Sequence, residues 1–177
     1  NKKSFAAEIV KKYTKFKNKI PIIFPMAREG FDPDEIWFNA VEKIVKFIQN
    51  GESVVLLCLG DTSLFASSSN ILRIIKNNYP EIITKTIPGI SSLSAAAALN
   101  DFDLVKKGET LIIKECPSSN SELTSIIRES RGNKTVLAIM KVGKRWNLVR
   151  EILKNEDILH KSLIALSVGM PNQIIQY

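Results

Sequence analysis

The chain has 177 residues, 45% hydrophobic and 24% charged. That length buries roughly 70% of the unfolded surface in one compact domain or two small ones, so no disulfide or metal staple is needed, and the composition excludes wholesale disorder. Cys58 and Cys116 are far apart in sequence and His160 is the single histidine, which excludes a Cys-x-x-Cys motif and an HExxH zinc site; no metal is expected.

The net charge of +7 is concentrated in residues 1–20, where Lys2, Lys3, Lys11, Lys12, Lys15, Lys17 and Lys19 face only Glu8. A basic segment of this kind suits RNA, a membrane surface or an acidic ligand. It equally suits the solvated face of an amphipathic helix, and the spacing favours that reading: Phe5, Ile9, Tyr13 and Phe16 form an apolar stripe behind Ser4, a good N-cap. No run approaches the roughly 18 apolar residues that cross a bilayer, and no signal-peptide pattern occurs. A cytoplasmic location is expected. The chain starts at Asn1 rather than Met and reads as a piece of something longer.

Proline and glycine fall at element boundaries. Ile20 to Phe24 reads as a short strand. Asp32-Pro33-Asp34-Glu35 starts a helix with an N-cap, a proline in the first turn and an acid three residues after the cap. Ile36, Ala40, Val41, Ile44, Phe47 and Ile48 form its inner face, and Gly51 ends it. Val54 to Leu59, apolar on both faces and closed by Gly60, reads as a strand buried in a parallel sheet. A helix is expected over about 64–78, a strand over Ile82 to Ile87 closed by Pro88-Gly89, and an alanine-rich helix over Ser91 to Leu99.

The charged loop from Asn100 to Glu109 marks a boundary between two α/β halves, giving domains 1–108 and 109–177. Beyond it come a strand at Thr110 to Lys114, a helix at Glu122 to Glu129, a strand at Lys134 to Met140, a helix at Trp146 to Lys154, and strands at Leu163 to Val168 and Gln173 to Tyr177. This alternation implies an α/β architecture with mostly parallel pairing. Cys58 is expected as a small buried hydrophobe, and Trp37 and Trp146 as core or interface anchors.

Ligands of open α/β sheets bind where strands end and helices begin. Two such loops stand out, Leu59-Gly60-Asp61-Thr62-Ser63 and Ile87-Pro88-Gly89-Ile90-Ser91-Ser92. Neither carries GxxxxGK or GxGxxG. Taken singly, Asp61 and Ser91 also suit plain helix caps. Taken together, "LGDTSLFASSSNIL" and "TIPGISSLSAAAAL" resemble the tetrapyrrole methylase family in order, spacing and flanking strands. "IIFPM" at Ile22 to Met26 and "VLAIMKVGKRW" at Val136 to Trp146 resemble the branch that methylates precorrin-2 at C20. The likeness runs from about residue 4 to about 175.

The resemblance implies two α/β domains with a cofactor cleft between them, usually in a homodimer. It implies S-adenosylmethionine as cofactor and precorrin-2, or its cobalt form, as tetrapyrrole substrate. It assigns Gly60, Asp61 and Thr62 to the methionine end of the cofactor, Ser91 and Ser92 to the facing loop, Met140 to the adenine and Gly169 to a late segment closing over it. No catalytic acid or base is assigned, because displacement at a sulfonium methyl by an electron-rich carbon depends mainly on positioning. Arg28, Lys141, Lys144 and Arg145 lie in or beside loops and suit the carboxylates of such a substrate; Lys144 and Arg145 also suit plain solvation of the following helix.

The chain departs from the family pattern at Thr62, usually Pro, at Phe65, usually Tyr, and at Ala66-Ser67, usually Ser-Thr. The family's first strand with its "GxGPGDPELLT" loop has no counterpart, and Tyr177 falls short of the usual C-terminal strands, so truncation at both ends is expected. Two other readings remain open: the same fold methylating RNA or a protein side chain, for which the lysine-rich segment speaks and the FPM segment does not, and a non-catalytic ligand-binding module. Nucleic acid and membrane are not the expected partners.

Overall fold

The computed structural model describes residues 5–11, 13, 19–22, 33–131 and 134–176. Ser4, Phe16, Phe24, Met26, Arg28, Asp32 and Tyr177, all used above, lie outside them. The chain divides into two compact units, 1–89 and 90–177. The domain boundary drawn from sequence at 108/109 falls within the second unit and stays a proposal.

The first unit is built on helices. α1 covers Phe5–Val10. It stops before Tyr13, which sits in a turn (N–H to the Val10 carbonyl, 2.9 Å) and is 82% exposed. Tyr13 is therefore not part of an apolar stripe, because the 3.6-residue period that would align it ends three residues earlier.

α2 covers Pro33–Gln49, with Asp34 and Glu35 in its first turn, where acids complement the helix dipole. Gly51 takes φ +81° and lets the Glu52 N–H return to the Phe47 carbonyl at 3.1 Å, closing the helix. α3 covers Ser67–Asn78. Ala40, Val41, Ile44 and Val45 of α2 pack with Ile71, Ile74 and Ile75 of α3, and Trp37, Leu56, Tyr79 and Ile82 lie against them.

The expected strands at Val54 to Leu59 and Ile82 to Ile87 do not form; neither segment belongs to a sheet ladder among the described residues. Nor do residues 20–22, the described part of the first expected strand. The chain at 54–59 is nonetheless sided. Leu56 is half-buried against the helices and Cys58 is half-buried rather than fully buried as expected, while Val55, Leu57 and Leu59 are exposed. An apolar run sets which side chains turn inward, but a strand exists only where a neighbour supplies N–H and C=O partners roughly 4.8 Å away.

The second unit carries the sheets. α4 covers Ser92–Leu99 and buries Ala96 and Ala97. β1, Thr110–Glu115, and β2, Thr135–Met140, pair in parallel from Thr110↔Thr135 to Glu115↔Met140. A parallel pair needs a crossover, supplied by α5, Asn120–Ser130. A short 3₁₀ turn, Gly143–Arg145, leads into α6, Trp146–Asn155. Leu123 and Ile127 of α5 and Val149, Ile152 and Leu153 of α6 form the core, with Leu137, Ile139 and Trp146 against it. β3, Ile164–Leu166, and β4, Ile174–Gln176, form an antiparallel hairpin, so the pairing is parallel only in the first sheet. β3 is shorter than its apolar run because Ser167 turns to φ +53°.

Glu156, at the end of α6, is clamped by two guanidinium groups of the α5 end: Arg128 at 2.8 Å and Arg131 at 3.0 Å. The hydrogen bond from Arg128 is the main cause that holds the Glu156 carboxyl below the usual range, and the same bond raises Arg128. No described helix is long and apolar enough to cross a membrane.

Candidate functional site

In the first unit the loop after residue 59 is shaped by Gly60 and Asp61. Gly60 takes φ +80°. One Asp61 oxygen accepts from the Ser63 N–H (2.6 Å), the Ser63 hydroxyl (2.6 Å) and the Leu64 N–H (3.1 Å), an Asx turn that fixes the loop from within. The Ser63 hydroxyl, followed by the two backbone donors, holds Asp61 below the ordinary carboxylate range, so it is an anion across the physiological range. The Ser69 hydroxyl ties the loop to α3 through the Thr62 carbonyl at 3.3 Å. Phe65 takes φ +51° just before α3, a conformation bulky residues adopt rarely and mostly at functional sites.

Gly89 of the second loop lies against this turn. A Cβ there would collide with the Gly60 carbonyl and stand 3.7 Å from the Asp61 nitrogen. The fold thus brings the two sequence motifs together, backbone on backbone, and only glycine permits it. Beside them a cavity of about 330 Å³ is lined by residues 56–59, Phe65 to Ser68 and Ile71.

Ser91 and Ser92 belong to the second unit. Ser91 is the N-cap of α4: its hydroxyl accepts from the Ser94 N–H at 3.2 Å. Ser92 is exposed. At the end of β2, Met140 is half-buried, and its carbonyl accepts from the Cys116 N–H at 2.8 Å, one step beyond the ladder. Lys141 takes φ +58° and stands 3.5 Å from the Glu115 carboxylate. Lys144 is exposed. The Arg145 guanidinium donates through Nη2 to Asn120 Oδ1 at 3.0 Å, linking the 3₁₀ turn to the first residue of α5. Gly169 takes φ +78° in the β3–β4 turn and donates to the Gln173 side chain at 2.7 Å.

The structure therefore gathers Gly60, Asp61 and Thr62 on one loop of the first unit, and Met140, Lys141, Lys144 and Arg145 at the end of β2. Gly169 lies in the turn of the β3–β4 hairpin. Sequence reasoning placed Gly89 and Ser63 in the two candidate loops without their contacts, and it missed Asn120. A glycine between Pro88 and a helix cap, and a serine two residues after Asp61, were the available signals; Asn120 had none.

The fold and the order of these loops match one family of proteins. The family model of the Tetrapyrrole (Corrin/Porphyrin) Methylases matches residues 1–176, and the chain belongs to that family. A probable cobalt-precorrin-2 C(20)-methyltransferase of Methanocaldococcus jannaschii is 33% identical over 156 residues, 88% of this chain and 62% of that protein. The cobalt-precorrin-2 C(20)-methyltransferase of Salmonella typhimurium is 23% identical over 96% of this chain and 69% of its own length. This chain thus spans about three fifths of the first relative and about two thirds of the second. Among solved structures, that of the methyltransferase CobJ superimposes with a TM-score of 0.56 over 86% of this chain and 69% of that one, at 21% identity, and supports the fold.

Proposed function

We propose that this protein takes part in the methylation of precorrin-2 or cobalt-precorrin-2 at C20, with S-adenosylmethionine as methyl donor, in cobalamin biosynthesis. The observation that carries the reading is the packing of Gly89 on Gly60, which joins the two family loops through backbone alone. The two relatives named for this reaction point to the substrate.

The residues fit the donor. When bound, it supplies a methyl group on a positively charged sulfur. Gly60 and Gly89 let a ligand approach the main chain, and Asp61 offers a fixed negative charge to a cationic amino acid moiety. Thr62, Ser91 and Ser92 provide hydroxyls, Met140 an apolar contact and Gly169 an open approach. Lys141, Lys144, Arg145 and Arg28 are the cations proposed for the carboxylates of the macrocycle. Their contribution is positioning: holding an electron-rich carbon about 3–3.5 Å from the methyl group, in line with the breaking bond, supplies much of the acceleration such a reaction needs. The homodimer and the cytoplasmic location belong to the same proposal and rest on the resemblance to the family.

The test is calorimetric titration of the intact protein with S-adenosylhomocysteine, followed by transfer of a labelled methyl group to precorrin-2. Binding competed by the methyl donor is expected, and its absence rejects the reading. Asp61→Ala is expected to weaken S-adenosylhomocysteine about tenfold, the order of one charge-assisted contact of roughly 1.5 kcal/mol, with a modest fall in melting temperature because Asp61 also holds its own turn.

A further inference from the structure

Three arginines of the second unit are held by side-chain oxygens, in two ways. Arg128 and Arg131 spend their guanidinium groups on Glu156, at 2.8 and 3.0 Å. Arg145 has no carboxylate partner among the described residues. Its Nη2 is held by the Asn120 side-chain oxygen at 3.0 Å, and its Nη1 is buried with no hydrogen-bonding partner among the described residues. A buried donor on a charged group is costly to leave unpaired, and native structures do so rarely. A guanidinium fixed on one side by a neutral amide oxygen keeps its full charge and a preset plane, the arrangement suited to a planar anion.

The surroundings have the same sign. Lys144 is adjacent in sequence and exposed, and Lys141 follows β2. Glu115 engages Lys141 at 3.5 Å. The cluster of Lys141, Lys144, Arg145 and Glu115 is therefore net positive, at the carboxyl end of a parallel strand, where α/β folds take their ligands.

We infer that Arg145, oriented by Asn120, is the carboxylate-recognition residue of this protein, and that its ligand is a peripheral carboxylate of the acidic macrocycle. The inference rests on the function proposed above and assigns one of its contacts to one residue: the Arg145 guanidinium donates to the carboxylate, with Lys144 adding charge that is not directional. The cofactor's own α-carboxylate has the same chemistry, so the experiment separates the two sources.

The intact protein is titrated with sirohydrochlorin, the oxidised octacarboxylate form of precorrin-2, and separately with S-adenosylhomocysteine. The proteins compared are wild type, Arg145→Gln, Arg145→Lys and Asn120→Ala, each checked for an unchanged melting profile. Arg145→Gln is expected to weaken sirohydrochlorin about 10- to 100-fold, the range of a hydrogen bond to a charged group, and to leave S-adenosylhomocysteine within about twofold. Arg145→Lys should recover part of the affinity, since it restores charge without the fork, and Asn120→Ala should lose part, since it frees the guanidinium. These three together would separate recognition from a merely structural role. A loss confined to S-adenosylhomocysteine would overturn the macrocycle as the ligand. A wild-type protein that binds neither ligand would overturn the functional reading together with this inference. A folded Arg145→Gln protein that binds both as the wild type does would overturn this inference alone.

Discussion

The two units of this protein handle similar apolar runs in opposite ways. Val54 to Leu59 and Thr135 to Met140 both look like buried strands in sequence. The second becomes β2, paired in parallel along its whole length with β1 and covered by α5 and α6. The first pairs with no strand among the described residues; Leu56 lies against α2 and α3, and Val55 is 63% exposed. The difference shows that helix pairs are self-sufficient while strands are not. An amphipathic helix closes its own backbone hydrogen bonds and needs only something apolar to lie on, whereas a strand depends on a partner placed by the chain elsewhere.

If each unit holds a real core, emptying either should cost alike. Leu123→Ala in the second unit and Ile71→Ala in the first remove side chains that are 0% and 1% exposed. Each is expected to lower unfolding free energy by roughly 2–5 kcal/mol in urea titration. A cost below about 1 kcal/mol for Ile71→Ala would break the comparison, because the helical pair would then not be packed.

The next largest effect should fall on the contact between the two loops. Gly89→Ala puts a methyl group onto the Gly60 carbonyl, which is backbone and cannot swing aside. Overpacking of this kind costs roughly 1–3 kcal/mol, and binding of S-adenosylhomocysteine should weaken at least tenfold by calorimetry. Gly51→Ala, strained at φ +81° but with nothing within 4 Å, is the control: it should cost stability and leave binding unchanged.

In the second unit, acid should act through Glu156. Glu156 is held below the ordinary glutamate value, so its contribution is complete above roughly pH 4.3. It is lost as the pH falls through that value toward the lower folded one, because the unfolded state then takes up a proton the native clamp refuses. Melting temperature followed from pH 6 to pH 3 should drop for the wild type, and the drop should flatten in Glu156→Gln.

The smallest effect sharpens the comparison most. Val55→Lys should change stability by no more than about 0.5 kcal/mol, as at an exposed position. A large loss would mean that this face is covered in solution. Ala138→Lys, the corresponding insult to β2, should be severe because Ala138 is only 7% exposed and an unpaired ammonium would be buried there.

Much of the fold was legible because it follows from short-range chemistry. The proline and acids that open α2, the glycine that closes it, the Ser91 cap of α4 and the parallel pair around α5 all follow from local spacing. The loops were legible as a pair, since Gly60-Asp61 and Pro88-Gly89 each stand where a strand-like run gives way to a helix. Their mutual contact was not, because it depends on two turns meeting through atoms every residue shares. Ser91 offered a ligand hydroxyl in the sequence, and the structure uses that hydroxyl first to cap its own helix. Glu156 and Asn120 were invisible for the opposite reason: each matters through an arginine 25 to 28 residues away, and no local period reports on such a partner.

The sequence by itself determined the helices, the turn chemistry and the family, since these depend on side chains a few residues apart and on motifs kept in order. Only the tertiary structure decided which apolar runs became strands, that Gly89 must be glycine, and which arginines are already paired. Each of those depends on a distant backbone or side-chain group lying within a few ångströms, a relation that composition and spacing do not encode.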